Sequence, residues 1–391
     1  MKRYTSAVTL NVSVFLFMCG VGMTVALLPK CIIDLSGSVS DVAYLASAFA
    51  VAYIIFQLPI GGLADRFGFK LFLTGGYFLC GLAGVLYYCA ETPQLVFFGR
   101  MVQGVGEAPL WALAPAMLSV LFPAAKGKVV GIYNASIHTG LTAGSILGVL
   151  LLTIWHGKEA FLLFSGVSFV GGIITLLFLG NPRHIHVKET LSVDYNQLLF
   201  LTKSHDNAIV MAGIMLFGAG YGIFLTMIPA FLIHERHVDQ TFVGHVFTLF
   251  YVSISLSQLI AGPLSDRIGR IQPMICGMVM ASFGLAMFSQ SLQPWFYILL
   301  ATASLGLGFF AVSSFAFLSE RGSDSLKGTI SGAFYVSWGI GFFTGPLLLG
   351  KFSQAMSFSV GFYCLAGLFL CEAIALKCSG ISHKRDREHT V

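Results

Sequence analysis

Twelve apolar runs, each long enough to cross a bilayer as a helix, constrain this chain more than any other feature of its sequence. A membrane-crossing helix needs about 20 mostly apolar residues, because the hydrocarbon core is about 30 Å thick and a helix rises about 1.5 Å per residue. Only 10% of the residues are charged, whereas about a quarter are charged in soluble domains. The sequence therefore predicts an all-α integral membrane protein. The runs lie near residues 7–29, 42–62, 71–90, 95–122, 129–153, 159–180, 207–233, 241–262, 272–290, 294–318, 328–350 and 357–378.

The first run is too long for the apolar core of a signal peptide, which spans roughly 7–15 residues, and it lacks a small-residue cleavage site. We therefore interpret residues 7–29 as the first transmembrane helix. The eight cysteines lie mostly inside apolar runs and show no spacing suited to a metal, so no metal site is predicted.

The distribution of lysine and arginine predicts the orientation. An even number of spans puts both termini on one side of the membrane. With that side inside, seventeen of the 22 basic residues fall in inner loops and tails, four lie outside, and one, Arg100, lies within a span. Basic residues are concentrated in cytoplasmic loops. We therefore expect cytoplasmic termini and a multi-pass protein of the cell inner (plasma) membrane, with the lipid bilayer as its surroundings and no nucleic acid as a partner.

An internal repeat divides the chain. The segment GGLADRFG at 61–68 matches GPLSDRIG at 262–269, an offset of 201 residues. The same offset relates a lysine and a series of small residues that begin at Lys126 to those that begin at Lys327. Agreement in one register at two distant places indicates a duplicated six-helix unit.

The repeat predicts two bundles that face each other across a central cleft, a known architecture of secondary transporters. The predicted parts are an N-terminal bundle at 1–180, a cytoplasmic linker at 181–206, a C-terminal bundle at 207–378 and a basic cytoplasmic tail at 379–391.

The repeated segments carry the motif by which the whole chain resembles the major facilitator superfamily. The form G-x-L-a-D-R-x-G-x-[RK] follows the second span, and its counterpart follows the eighth. Phe69 is a departure, because the family usually has a basic residue there. A second resemblance is the arginine-bearing segment at 98–108 in the fourth span. The motif residues are Gly61, Asp65, Arg66, Gly68 and Lys70, repeated as Gly262, Asp266, Arg267, Gly269 and Arg270.

The resemblance implies transport by alternating access, in which the motif loops gate the inner ends of the helices around an Asp65–Arg66 charge core. The alternative is that these loops are merely positive-inside anchors. The resemblance also implies that spans 1, 4, 7 and 10 line the cavity and spans 2, 5, 8 and 11 flank it. We expect a functional monomer with no cofactor, driven by the proton gradient.

Closely spaced glycines in the fifth and eleventh spans resemble the antiporter motif of this family. The match is partial, since Ser145 follows Gly144 whereas Pro346 follows Gly345. Small residues at this spacing also let helices approach closely, and this packing role holds for either direction of transport. The glycines are Gly140, Gly144, Gly148, Gly341 and Gly345.

Ionisable residues inside a span suggest a functional site. Arg100, Gln103, Glu107 and Trp111 fall at i, i+3, i+7 and i+11, which places them on one face of the fourth span. His138, on the fifth span, is expected at a similar depth. We therefore predict a proton site in which Glu107 is alternately protonated and ionised, with Arg100 and His138 as partners. Substrate contact without protonation, and a purely structural Arg100–Glu107 pair, are the alternatives.

Further contacts with the substrate are expected from polar and aromatic residues of the cavity spans. Glu372 is expected to extend to the membrane interface rather than to bind a ligand. The predicted cavity residues are Gln103, Trp111, Asn134, Tyr221, Tyr251, Gln258, Tyr335 and Trp338.

The sequence thus favours a proton-coupled exporter of an amphipathic small molecule, such as a drug or a siderophore-like metabolite. A proton symporter that imports a metabolite is the alternative. A transport-inactive sensor or assembly protein needs no mid-membrane carboxylate, so Glu107 argues against it. No nucleophile–base pair at matched depth points to an enzyme.

Overall fold

A computed structural model describes residues 2–36, 42–154, 158–180, 204–238, 240–291, 295–321 and 327–379. Within these ranges the chain forms twelve α-helices and a short 3-10 turn, Pro123–Ala125. The helices are α1 (Lys2–Ser36), α2 (Val42–Phe67), α3 (Phe69–Tyr88), α4 (Pro93–Leu121), α5 (Lys126–Ile154), α6 (Glu159–Phe178), α7 (His205–His234), α8 (Gln240–Ile268), α9 (Ile271–Phe288), α10 (Trp295–Arg321), α11 (Lys327–Ala355) and α12 (Phe358–Cys378).

The helices confirm the predicted fold class. Eleven of them contain a described stretch long and apolar enough to cross a membrane. The remaining helix, α5, has 29 residues and is long enough to span, but its described part includes Lys126, Lys128 and Asn134, which lower its hydropathy. Residues 181–203 of the predicted linker and 380–391 of the predicted tail lie outside the described ranges.

The tight turns between α2 and α3 and between α8 and α9 explain the last glycine of each motif. Gly68 has φ of 88° and Gly269 has φ of 91°. A side chain at such a backbone angle meets steric strain, whereas glycine adopts it freely. Each turn lets the chain reverse within one or two residues outside helix, so the next helix can begin at once.

The described chain divides into two compact units. One consists of the described residues within 2–123, 136–180 and 327–335, and the other of those within 124–135, 204–321 and 336–379. Each unit therefore includes the beginning of one helix from the opposite sequence half: α11 begins in the first unit and α5 begins in the second.

The two units use the same helix pairings. In the first, the most extensive contacts join α2 to α4, α3 to α4, α3 to α6 and α1 to α6. In the second, α8 packs on α10, α9 on α10, α9 on α12 and α7 on α12. Each pair of the second list is a pair of the first moved by six helices, so the duplication seen in the sequence is also a duplication of packing.

Close helix contact at glycine repeats as well. An added Cβ at Gly76 on α3 would lie 2.5 Å from the carbonyl oxygen of Gly106 on α4. An added Cβ at Gly277 on α9 would lie 2.5 Å from that of Gly306 on α10. Any larger residue would force these helices apart, so the small side chain sets their separation.

The glycines of α5 and α11 pack against the first helix of their own unit. A Cβ at Gly140 would lie 2.7 Å from the carbonyl oxygen of Phe15 on α1, and Gly144 abuts Cys19 there. Gly341 abuts Met215 on α7, and a Cβ at Gly345 would lie 2.7 Å from the Cα of Ala219. These contacts agree with the packing interpretation. The surroundings of Gly148 lie outside what the structure describes.

Candidate functional site

A chain of hydrogen bonds runs along the inward face of α4. The Nη1 group of Arg100 donates to Oε1 of Gln103 at 2.9 Å, and Nε2 of Gln103 donates to Oε1 of Glu107 at 2.8 Å. The indole Nε1 of Trp111 donates to Oε2 of Glu107 at 3.0 Å. The four residues predicted to share a face are therefore joined in one network, and only 4% of Glu107 is exposed.

Gln103 separates the two charges of this network. Its Oε1 also accepts a hydrogen bond of 2.6 Å from the hydroxyl of Tyr87 on α3. Because both donors to Oε1 fix the amide, its Nε2 must point at Glu107. No ion pair joins Arg100 to Glu107 among the described residues, so the direct structural pair considered from the sequence is not formed.

Arg100 is held by α2 as well. Its Nε donates to the carbonyl oxygen of Leu45 at 3.1 Å. Its guanidinium carbon lies 4.6 Å from the centre of the Phe49 ring, in a cation–π contact. These contacts provide partners for the partly buried guanidinium of Arg100. They do not pair its charge with the carboxylate of Glu107.

The network extends to α11 through aromatic contact. The ring of Trp111 meets that of Tyr335 edge to face, with centroids 6.1 Å apart. Both residues belong to the first unit. His138 is buried on α5 in the same unit, and its role as a proton partner of Glu107 stays a prediction.

An aromatic cluster in the second unit contains three of the predicted cavity residues. Tyr221 lies 5.7 Å from Trp338 and 5.1 Å from Phe250, measured between ring centroids. Tyr251 lies 5.4 Å from Phe250. Asn134 is also buried, and it belongs to the same unit through the beginning of α5.

Two repeat-related glutamines are buried with unused polar atoms. Gln258 on α8, predicted as a cavity residue, has no hydrogen-bond partner for Oε1. Its counterpart Gln57 on α2 was not predicted, yet it is 0% exposed and both Oε1 and Nε2 lack a partner. The repeat itself was the signal, since the two positions differ by the same 201 residues as the motifs.

Asp65 of the first motif caps a helix of the other sequence half. Its carboxylate accepts hydrogen bonds from the backbone N–H of Gly328 at 2.7 Å and of Thr329 at 2.8 Å, and from the Thr329 hydroxyl at 2.7 Å. These groups begin α11, where N–H groups have no partner within the helix and the helix dipole is positive. Gly61 is required beside them, because a Cβ there would lie 2.5 Å from the carbonyl oxygen of Gly328.

Asp266 caps α5 in the same way but with a different network. It accepts hydrogen bonds from the backbone N–H of Gly127 at 3.0 Å and of Lys128 at 2.9 Å. It also forms an ion pair of 2.5 Å with Arg270, which in turn pairs with Glu320 on α10 at 2.7 Å. Glu320 was not predicted from the sequence. The equivalent residue of the first half, 201 positions earlier, is the uncharged Ser119, so the repeat gave no signal there.

The expected Asp65–Arg66 charge core is not formed. Asp65 is turned toward α11, whereas the guanidinium of Arg66 lies 5.1 Å from the ring centre of Phe67 and its Nη1 has no hydrogen-bond partner. Arg267 is exposed and Lys70 is partly exposed. Consecutive helical residues point about 100° apart, so adjacent Asp and Arg side chains serve different neighbours.

The fold and these sites define a polytopic membrane protein made of two related helix bundles with a buried charged face in the first. The profile of the Major Facilitator Superfamily matches residues 10–206 and 210–388. The chain belongs to the Major Facilitator Superfamily.

Individual relatives cover nearly the whole chain. It is 24% identical over 372 residues to an uncharacterized MFS-type transporter of Methanocaldococcus jannaschii, spanning 90% of this chain and 95% of the relative. It is 23% identical to a probable galactarate/D-glucarate transporter of Escherichia coli, with 81% and 80% covered. It is 24% identical to the class C tetracycline resistance protein of Escherichia coli, with 89% and 90% covered.

Among solved structures, the Escherichia coli fucose:proton symporter superposes with a TM-score of 0.79 at 15% identity, covering 96% of this chain and 99% of that one. This likeness concerns the fold. Family membership and the relatives together make the protein a multi-pass membrane transporter of the secondary type.

Proposed function

We propose that this protein is a proton-coupled exporter of an amphipathic small molecule, working by alternating access in the cell inner membrane, with Glu107 as the coupling carboxylate. The observation that carries the proposal is the Glu107 carboxylate, which is buried and held by two neutral donors, the Gln103 amide and the Trp111 indole.

The hydrogen-bond geometry couples protonation to conformation. An ionised carboxylate accepts at both oxygens, but a protonated one has an O–H donor at one of them. The protonated oxygen is a poorer acceptor and its O–H needs a partner of its own, so protonation of Glu107 would weaken or break the hydrogen bond from either Gln103 or Trp111. A buried group that loses its partner costs roughly 1–3 kcal/mol. A proton shifts the equilibrium between two conformations of the transporter only if it changes their relative free energy. A hydrogen bond lost at Glu107 would supply such a change.

Arg100 and Trp111 extend the effect of that proton. Arg100 reaches Glu107 only through Gln103, so a displaced Gln103 amide also loses its hydrogen bond from Arg100. Trp111 contacts Tyr335 on α11. A change at Glu107 is thereby passed to α2 through Arg100 and to α11 through Trp111.

The charges and aromatic rings favour an amphipathic substrate over a sugar diacid. A dianion needs cationic partners when it leaves water, and Arg100 is already occupied by Gln103, Leu45 and the Phe49 ring. The cluster around Tyr221 and Trp338 suits the apolar part of a ligand. In the first unit the unused amide of Gln57 can bind a polar group of the substrate, and in the second unit Gln258 offers an unused Oε1.

The two motif loops are proposed to act as gates. Asp65 holds the beginning of α11 and Asp266 the beginning of α5 through backbone N–H groups. Both contacts are charge-assisted and directional, and each would have to break for these helix ends to separate. Pure positive-inside anchoring would require no such acceptors.

Import by proton symport is the second candidate, because a galactarate/D-glucarate transporter is among the relatives and the antiporter-like glycine series is incomplete. The two directions differ in vesicles. With an acidic lumen, an antiporter accumulates its substrate inside as protons leave. With an alkaline lumen, a symporter does so as protons enter.

The test uses purified protein in liposomes, with tetracycline and galactarate as labelled probes and both pH gradients. We expect tetracycline to accumulate with an acidic lumen. Glu107→Gln should reduce that accumulation to background while retaining exchange of the probe at equal pH, because the fold and binding face persist. Glu91→Gln, at an exposed loop residue, is the matched control and should behave as wild type. Gradient-driven accumulation by the Glu107→Gln protein would overturn the proton role of Glu107.

A further inference from the structure

A second buried carboxylate lies in the C-terminal helices, far along the chain from Glu107. Glu372 on α12 is only 6% exposed. Its expected extension to the membrane interface is therefore wrong. Its Oε1 has no hydrogen-bond partner, and no ion pair to Glu372 occurs among the described residues.

The space that holds this carboxyl group is provided by a glycine. A Cβ added at Gly213 on α7 would lie 2.6 Å from Oε1 of Glu372 and 2.5 Å from Cζ of Phe310 on α10. The carboxyl group and the phenyl ring thus meet at the bare backbone of α7. Glu372 points into the seam where α7, α10 and α12 come together, with the Gly213 backbone and the Phe310 ring beside its Oε1.

An ion pair occupies the same seam nearer its end. Asp206 on α7 lies 3.9 Å from Arg321 on α10. Asp206 is seven residues before Gly213, and Arg321 is eleven residues after Phe310, spacings that keep each pair on one helix face. At 1.5 Å per residue, the ion pair lies about 10 Å from Gly213 along α7. The pair therefore stands between the Glu372 carboxyl group and the end of the seam where α7 begins.

Other charged groups leave Glu372 without a cation. On α10, Glu320 is engaged by Arg270 and Arg321 by Asp206. On α12 itself Lys377 is exposed, and on α9, which packs against α12, the ionisable side chain is the exposed Cys276. On α7, His205 begins the helix beside Asp206. None of these forms an ion pair of 4.0 Å or less with Glu372 in the described part of the chain.

An isolated carboxylate in apolar surroundings becomes neutral by taking up a proton, because its charged form is strongly penalised. A metal cation would need several oxygen ligands, and this site provides one carboxyl group beside a phenyl ring. We propose that Glu372 is a second proton-binding site, located in the α7–α10–α12 seam and reached past Asp206 and Arg321. This inference does not rest on the proposed function, since it concerns the protonation of a different carboxyl group.

Infrared difference spectroscopy tests the site without any substrate. At pH 7, purified protein should show the carbonyl band of a protonated carboxylic acid in apolar surroundings, with a shift in heavy water. Glu372→Gln should remove one component of that band and leave thermal stability equal to or above that of wild type, because the neutral amide resembles the protonated acid. Glu91→Gln, at an exposed glutamate, should leave the band unchanged.

A second variant protects the test against misfolding of the first. In Gly213→Ala the new methyl group would press on Oε1 of Glu372, so the band should shift in frequency and persist. An acid band that is the same in wild type, Glu372→Gln and Gly213→Ala would overturn the proposal. Transport assays play no part in this result, so a failure of proton coupling at Glu107 would leave it unaffected.

Discussion

At the scale of single residues, the two halves use the same backbone with different chemistry. Arg270 and Glu320 form a largely buried ion pair in the second unit. The positions 201 residues earlier are Phe69 and Ser119, both fully buried. In compensation, the first unit gives Asp65 a third donor from the Thr329 hydroxyl. Asp65 of the first motif therefore relies on neutral donors, whereas Asp266 of the second motif also has a salt bridge.

The unused amide of Gln57 leads to a prediction in which stability and function separate. Gln57→Met keeps the length of the side chain but removes polar atoms that lack partners, and such atoms cost roughly 1–3 kcal/mol. We expect a melting temperature at or above that of wild type, together with weaker binding of the transported substrate. Thermal unfolding and binding of labelled tetracycline measure the two effects.

Gln94→Met is the control, because Gln94 is exposed at the start of α4, and it should leave both quantities near wild type. A lower melting temperature with unchanged binding in Gln57→Met would show that the amide has a structural role instead.

Helical spacing was enough to predict which residues of α4 share a face, and the hydrogen-bond chain from Arg100 to Trp111 follows that spacing. The partners from other helices could not be predicted in this way. Tyr87, Leu45 and Thr329 are ordinary residues in the sequence, and they matter only because packing brings them to Gln103, Arg100 and Asp65. The burial of Glu372 could not be predicted for the same reason. It depends on packing against another helix, where the absence of a side chain at Gly213 leaves room for the carboxyl group.

At the scale of helices, hydropathy predicted every helix but not its ends. The first apolar run was placed at 7–29, whereas α1 extends over Lys2–Ser36. The polar flanks continue the helix outside the apolar stretch, because backbone hydrogen bonding does not end where hydropathy falls. Likewise α7 begins at His205, inside the predicted linker.

The crossing of α3 and α4 gives a prediction with neighbouring residues as test and control. Gly76→Ala places a methyl group 2.5 Å from the Gly106 carbonyl oxygen and 2.7 Å from Pro109. Because overpacking costs roughly 1–3 kcal/mol, we expect a lower melting temperature and less folded protein in the membrane.

Gly75→Ala, one residue earlier, meets no atom within 4 Å, and alanine favours a helix over glycine by up to about 1 kcal/mol. We expect it to be neutral or slightly stabilising. Equal loss of folded protein in both variants would show that the α3–α4 contact is not what makes Gly76 necessary. Size-exclusion chromatography in detergent and thermal unfolding report both outcomes.

At the scale of the whole molecule, the 201-residue repeat predicted two related bundles, and the repeated helix pairings agree with it. The sequence did not predict that each unit contains the beginning of a helix from the other half. The first residues of α11 belong to the unit of Asp65, and those of α5 belong to the unit of Asp266. Hydropathy reports which residues avoid water, but it does not report which helix caps another.

If the halves share one geometry, the salt-bridge network of the second can be built into the first. Phe69→Arg and Ser119→Glu place the charges of Arg270 and Glu320 at the positions 201 residues earlier. Ser119→Glu alone buries a charge without its partner, which costs roughly 3–5 kcal/mol. Phe69→Arg alone leaves the introduced guanidinium with Asp65 as its one anionic partner. In the double variant the introduced guanidinium can pair with both Asp65 and the introduced carboxylate, as Arg270 pairs with Asp266 and Glu320.

Thermal unfolding of wild type, both single variants and the double variant gives the coupling free energy between the two positions. This coupling should be stabilising and well above the ~0.5 kcal/mol error of additivity. Penalties that simply add would show that α2, α3 and α4 do not reproduce the geometry of α8, α9 and α10.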